Sequence, residues 1–347
     1  MNYEKLIKEK NPKAIFIAEA GINHDGDIQK AKKMIDAAVS AGADYVKFQS
    51  FKAKKLVTPD ALTSSYIDEG SNDGESFQDL LQRLELNEEA HYDLKKYCDS
   101  KGIKFLSTAF DEESFDFLIS LDIDIVKVAS GDVTNIPLIR HMARSGLPII
   151  MSTGMATLGE IEDAVNAITT EGNNKIILLH CISWYPADIS TTNLRFMDTL
   201  KNAFPFPVGY SDHTLGINMS IAARTLGAVV LEKHFTMDKT EFGPDHAASI
   251  EPDELSDLVI GLREVEVGLG TTHRVFCEKE IGQRKVHRRS VVVKKQIQPG
   301  EIFTTDNLVI KRPGIGIKPK YLDDILGKKA RLACEAESLL EWSSIVE

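Results

Sequence analysis

A parallel (β/α)8 barrel followed by a small second domain is the fold this sequence predicts, and three observations predict it. Eight short apolar runs alternate with stretches of helical period over residues 14–270. Several of the helical stretches stop at glycine, the residue that most readily takes the left-handed backbone of a helix end. Nearly every apolar run also finishes in a polar, reactive group, as barrel strands do at their active-site face. An open doubly wound sheet is the competing architecture. No GxGxxG follows the first run, which weakens a dinucleotide-binding version of it.

Taken in order, the expected strands are 14–21 (AIFIAEAG), 45–49 (YVKFQ), 104–110 (KFLSTAF), 125–130 (IVKVAS), 148–154 (PIIMSTG), 176–181 (IILLHC), 208–212 (VGYSD) and 229–235 (VVLEKHF). Amphipathic segments such as IQKAKKMIDAAVSAGA and TLGEIEDAVNAITTEG separate them, and DELSDLVIGLREVEVGLG closes the series at 253–270. One interval is out of step. Residues 50–103 are far longer than an ordinary strand-to-helix connection, and their first half is polar and glycine-containing. It is read as a loop over the barrel mouth, with a tolerated surface insertion as the bland alternative. The barrel is expected over residues 1–270, a polar, basic linker over 271–289, and a separate domain over 290–347. That domain shows short strands, proline-glycine turns and a short helix around 321–326.

Composition narrows the class. With 43% hydrophobic and 27% charged residues, the 347-residue chain is an ordinary globular protein large enough for one α/β domain and a small partner. No apolar run approaches the ~20 residues of a membrane span. The start, MNYEKLIKEKNPK, lacks the apolar core of a secretory signal. The four cysteines have neither CxxC nor disulfide-framework spacing, so a reducing cytoplasm is expected. A net charge of −11 argues against nucleic acid, and it requires any anionic substrate to be held by a local basic pocket.

The chemistry collects at the strand ends. Alternation along a strand puts Ser211 with His213, and Glu232 with His234, on the inward face of the last two runs. If these runs are neighbours, two neutral imidazoles converge beside Asp212, Glu232 and Asp245, a reasonable start on a divalent-metal site. A lone histidine in such a place is more often a core residue. Lys47 lies between Val46 and Phe48, and Lys127 between Val126 and Val128, so both ammoniums point into the barrel. Buried ammoniums need carboxylates or a bound anion; bridges to Glu19 and Asp132 are the purely structural reading. With the hydroxyls of Ser130, Ser152 and Ser211 they make a phosphate site. A Schiff base on a lysine and a phosphoenol condensing with a metal-bound aldehyde both suit the pocket, and spacing does not choose between them.

The ordered motifs EAGINHDGD, VKFQSF, FLSTAF, KVASGD, STGM, YSDHT, EKHFT, GPDH and KRPG, from about residue 14 to about 330, resemble the sialic acid synthase family, including its legionaminate branch. The resemblance implies a TIM barrel with a C-terminal SAF (antifreeze-like, β-clip) domain. It implies condensation of phosphoenolpyruvate with an N-acetylmannosamine-type sugar, or with a 2,4-diacetamido-trideoxymannose. It implies a domain-swapped homodimer whose small domain covers the partner's barrel. By position, His213 and His234 would hold Mn2+ or Mg2+, and Lys47, Lys127, Ser130, Ser152 and Ser211 would hold phosphoenolpyruvate. Glu19 and Asp245 would position the sugar, Asn72 on the long loop would contact the phosphate, and Thr108, Phe110 and Tyr185 would line the pocket. Arg312 would reach the N-acetyl group from the second subunit. Asp132 stands where many relatives have a glutamate proposed as the base for the attacking water, and Ser183 and Trp184 also depart from the pattern. A Schiff-base lyase and a non-catalytic carbohydrate-binding protein are the rival readings.

Overall fold

The computed structural model describes every residue except Asn2, Lys10, Asn11, Ser64 and Glu347, and leaves aside the side chains of Lys5, Ser65 and Tyr66. The chain divides into two compact units, Met1–Gly270 and Thr271–Glu347.

The first unit is a closed barrel of eight parallel strands: β1 (Ile15–Gly21), β2 (Tyr45–Ser50), β3 (Lys104–Ala109), β4 (Val126–Val128), β5 (Ile149–Ser152), β6 (Ile176–Cys181), β7 (Val208–Asp212) and β8 (Val230–His234). Each strand is buried on both faces, so alternation sorts two kinds of core rather than core from solvent. Outward residues such as Phe16, Val46, Phe48, Val126, Val128, Met151 and Leu231 pack beneath the helices. Inward residues Ile17, Tyr45, Leu106, Ile125, Ile150, Ile177, Leu179 and Val230 fill the lower interior. A short helix, Tyr3–Lys8, lends Tyr3 and Leu6 to that cluster, and the Tyr3 hydroxyl donates to the Ile176 carbonyl at 3.2 Å.

The insertion after β2 is less polar in the fold than on paper. It forms three short helices, Ala53–Leu56, Ser65–Glu69 and Phe77–Leu84, the last capped by Ser76, whose Oγ accepts from the Asp79 amide at 3.2 Å. Leu80, Leu81 and Leu84 join Ile22 and Phe51 in a small core of their own. At Gly70 the insertion meets the loop after β8 so closely that a Cβ would sit 2.3 Å from the Pro244 nitrogen.

The second unit pairs β9 (Ser290–Val293) with β10 (Leu308–Lys311) antiparallel, around Val291, Val293, Ile297, Phe303, Ile325 and Leu340. The stretch 271–289, expected to be a linker, instead contains the helix Glu278–His287 and clusters with this unit. That helix buries no residue, so apolar periodicity could not reveal it. Its signals are electrostatic: Glu278 and Glu280 open it, while Arg284, Lys285 and His287 close it, complementing the helix dipole. No helix among the described residues is long and apolar enough to cross a membrane.

Candidate active site

Strand register assembles the site. Glu19 pairs across to Lys47 on one side and His234 on the other; Thr108 lies opposite Lys127, and Ser211 opposite Glu232. These side chains surround a cavity of about 260 Å3 at the C-terminal ends of the strands. Of the residues singled out by sequence, Glu19, Lys47, Thr108, Phe110, Lys127, Ser130, Ser152, Tyr185, Ser211, His213, His234 and Asp245 line it.

The ammoniums are partnered as burial demands. Lys47 Nζ lies 2.7 Å from Glu19 Oε2 and 3.6 Å from Glu232 Oε2, and donates to Thr108 Oγ1 at 3.1 Å. Lys127 Nζ donates to Ser152 Oγ at 2.9 Å and lies 3.6 Å from Glu232 Oε1, whose other neighbour is Ser211 Oγ at 3.0 Å. Burial works against the charge of Lys47, yet Glu19 and Glu232 outweigh it and hold its pKa above the usual lysine value. For Lys127 burial wins and the pKa falls. Burial raises Glu19 despite the pull of Lys47, whereas in Glu232 the two lysines overcome burial and keep the carboxylate ionised. Glu19 Oε2 and Glu232 Oε2 are buried with no aligned hydrogen bond, although both are within ion-pair reach of Lys47. Such underused oxygens at a cavity are capacity for a ligand.

The histidines occupy the adjoining corner. Their rings are 5.4 Å apart, and Tyr185 lies 4.1 Å from the His213 ring, centre to centre. His213 follows the end of β7 rather than lying in it, and its Nδ1 donates to the Ile182 carbonyl at 2.7 Å, leaving Nε2 with a lone pair. His234 Nδ1 is buried without a hydrogen-bond partner, 3.5 Å from Asp245 Oδ2. Burial pushes His213 down to about 4 and His234 well below its usual value, so both imidazoles are neutral, the form that ligates a cation. Burial lifts Asp245 to about 6. At Gly21 a Cβ would lie 3.3 Å from each of Asp245, Glu19 and His234, so glycine there keeps open the point where the three converge.

Beneath this corner, on the outward face, Lys233 and Asp212 form a fully buried ion pair at 3.0 Å. Asp212 also accepts from the Thr214 amide, the Thr214 hydroxyl and Ser220 Oγ, while Lys233 Nζ donates to the Thr214 carbonyl at 2.7 Å. The turn that carries His213 is thereby tied to the strand that carries His234. A second group of possible cation ligands, Asp25, Glu241 and His246, has its atoms within 4.8 Å of one another. There Lys30 pairs with both carboxylates and Thr236 Oγ1 engages His246 Nδ1 at 2.7 Å, which makes it a charge network joining the loops after β1 and β8.

Three sequence expectations lie elsewhere. Asp132 ends a short 3-10 turn, Ser130–Asp132, and does not line the cavity; Asn135 Nδ2 donates to it at 3.1 Å, and the Lys127 charge reaches it without a direct ion pair. The turn rotates the chain after the brief β4, so strand alternation no longer applies. Asn72 is exposed on the insertion, engaged with Glu75 at 3.2 Å. Arg312 is exposed on the second unit. His180 faces outward: its Nε2 meets the Thr192 carbonyl at 2.6 Å, and it packs on Phe196 and Tyr210 as a core histidine. The residue that sequence reading undervalued is Glu232. Its two-residue offset from His234 and the need of two buried ammoniums for a counter-charge were the available signals.

Known proteins place the chain. The NeuB family profile matches residues 34–274, and the SAF domain profile matches residues 288–346. The N,N'-diacetyllegionaminic acid synthase of Campylobacter jejuni is 44% identical over 94% of this chain and 99% of its own length. The enzyme of the same name from Legionella pneumophila is 42% identical over 95% and 94%. Among solved structures, the N-acetylneuraminic acid (sialic acid) synthetase of Leptospira borgpetersenii superposes with a TM-score of 0.69 at 35% identity, covering 79% of this chain and 90% of that one. The chain belongs to the NeuB family.

Proposed function

We propose that this protein is a transferase condensing phosphoenolpyruvate with an N-acetylmannosamine-type sugar and water, giving a sialic-acid-type nonulosonate (N-acetylneuraminate) and phosphate. The observation that carries the reading is the buried Lys47–Glu232–Lys127 array, ringed by Ser152 and Ser211, immediately beside two neutral histidines. Lys47, Lys127, Ser130, Ser152 and Ser211 hold the phosphoenolpyruvate anion. Glu19 and Asp245 accept hydrogen bonds from the sugar near its C1 carbonyl, and Tyr185 packs beside them. His213 and His234 hold Mn2+ or Mg2+, which when bound draws electron density from that carbonyl.

The chain's own groups account for the remaining steps. The enol C3 forms a bond to C1 of the sugar, whose oxygen takes the proton that burial keeps on Glu19, and the positive charge left at C2 faces Glu232, whose fixed carboxylate stabilises it. Water adds at C2 and returns a proton to Glu19; the C2–O bond to the phosphate then breaks, and phosphate departs toward Lys127 and Ser152 with the proton of the new C2 hydroxyl, leaving the keto group. A homodimer in which Arg312 of one copy approaches the sugar N-acetyl group of the other, working in a reducing cytoplasm that suits four free cysteines, completes the proposal. The 2,4-diacetamido-2,4,6-trideoxymannose acceptor is a second reading, favoured by the 44% and 42% identities to the two legionaminic acid synthases.

Phosphate release from phosphoenolpyruvate, measured with each sugar and with or without a chelator, tests this. Release that needs both sugar and metal is expected. Borohydride trapping of pyruvate on Lys47 or Lys127, with turnover indifferent to chelator, would replace it with the Schiff-base lyase.

A further inference from the structure

We infer that Asn23 and Ser249, neither of which lines the cavity, are positioning residues for the acceptor sugar: they clamp the loop after β8 to the loop after β1 and so fix Asp245. The inference rests on the synthase reading above, in which Asp245 accepts a hydrogen bond from the sugar.

Asp245 lines the cavity, yet among the described residues no donor is hydrogen-bonded to its carboxylate. His234 Nδ1 lies 3.5 Å away and is itself without a hydrogen-bond partner. A side chain that no donor holds is placed by its backbone, so whatever fastens that backbone sets where the carboxylate meets a ligand.

The fastening runs through two side chains. Ser249 Oγ donates to the Asp245 carbonyl at 2.6 Å, across the short 3-10 turn His246–Ala248. Asn23 Nδ2 donates to Ser249 Oγ at 2.9 Å and to the Phe235 carbonyl, one residue past His234, at 2.9 Å. A carbonyl only accepts, which fixes the orientation of the amide. Next along the chain, the Ile250 amide donates to the His234 carbonyl at 3.0 Å and the Ile250 carbonyl accepts from the Thr236 amide at 2.9 Å. One asparagine of the β1 loop thus sets the segment carrying Asp245 against the strand carrying His234. Asn23 is buried, and its Oδ1 has no partner. A buried oxygen without a donor works against folding, so stability alone does not account for the residue, whereas placement of Asp245 does.

The test compares the wild-type enzyme with Asn23→Ala, Ser249→Ala, their double variant and Ser249→Thr. Phosphate release is followed with Mn2+ and whichever of N-acetylmannosamine and 2,4-diacetamido-2,4,6-trideoxymannose the wild type uses, with melting checked alongside. Each alanine variant should raise the acceptor KM about tenfold, while the phosphoenolpyruvate KM and the Mn2+ Kd stay within about twofold. Ser249→Thr keeps the hydroxyl and should hold the acceptor KM near the wild-type value. Because the two residues act in one relay, the double variant should exceed the poorer single by no more than about twofold. An unchanged acceptor KM, equal rises in the KM of both substrates, additive losses in the double variant or alanine variants that do not fold would each overturn the inference. Phosphate release by the wild type would leave the synthase reading standing in all four cases. A wild-type enzyme that releases no phosphate with either sugar overturns the synthase reading, and the inference with it.

Discussion

The lower and upper halves of the barrel interior are built from the same strand faces and could hardly differ more. Two residues along, Ile17 gives way to Glu19, Tyr45 to Lys47, Leu106 to Thr108, Ile125 to Lys127, Ile150 to Ser152 and Val230 to Glu232. One step of the pleat, about 7 Å, separates a dry plug from a ring of charge. The plug holds the strands at fixed separation by packing alone. The ring could not do so, since paired buried charges contribute little net stability and demand well-defined geometry. The comparison teaches that stability and chemistry occupy adjacent layers here, and that the first makes the second affordable.

The largest effect should come from behind the charged layer. Lys233→Met leaves Asp212 buried without its cation and should cost about 3–5 kcal/mol of stability. Denaturant titration checks it, and an Asp212→Asn/Lys233→Met double variant should recover part of the loss. Next, Lys127→Met should lower kcat/KM by about 10²–10³ while the lower layer keeps the fold intact; if phosphate release survives, the ring is ornamental to the chemistry.

Asp245 offers a smaller, signed test in the apo protein. Burial raises its pKa to about 6 from a usual 3.8, so the native state prefers the proton. Its contribution therefore worsens as pH climbs from about 4 to 6 and stays unfavourable above that. Asp245→Asn should accordingly stabilise the protein by about 3 kcal/mol at pH 8, with the gain vanishing near pH 4 and sugar turnover lost. Smallest is Ile150→Val, two residues below Ser152, which should cost about 1 kcal/mol and leave kcat/KM per folded molecule unchanged. A larger kinetic effect would mean that the two layers are not separable.

Much of this layering was legible without coordinates. A period of two places Lys47, Lys127, Glu232 and His234 inward wherever strands are regular, as they are at these four positions; β1 shifts register only beyond Glu19. Reading failed where regularity stopped. Asp132 left the cavity because a 3-10 turn follows a three-residue strand, and Asn72 because a long insertion carries no periodic register to count from. The insertion's small core went unseen because its members, from Ile22 to Leu84, are scattered over some sixty positions and meet only when three short helices fold together. The helix Glu278–His287 passed for linker since it buries nothing.

Local order therefore came from the chain itself: which segments become strands, which side chains share a face, and which strand ends carry chemistry. Those properties depend on neighbours one to four residues away. Which carboxylate answers which ammonium, which lone pairs stay open and what shape the cavity takes were decided by closure of the barrel. Only that closure brings β1 beside β8 and sets 3.6 Å between Lys47 and Glu232, nearly two hundred residues apart. Electrostatic and dispersion forces act over such lengths in space, and the order of residues along the chain does not encode them.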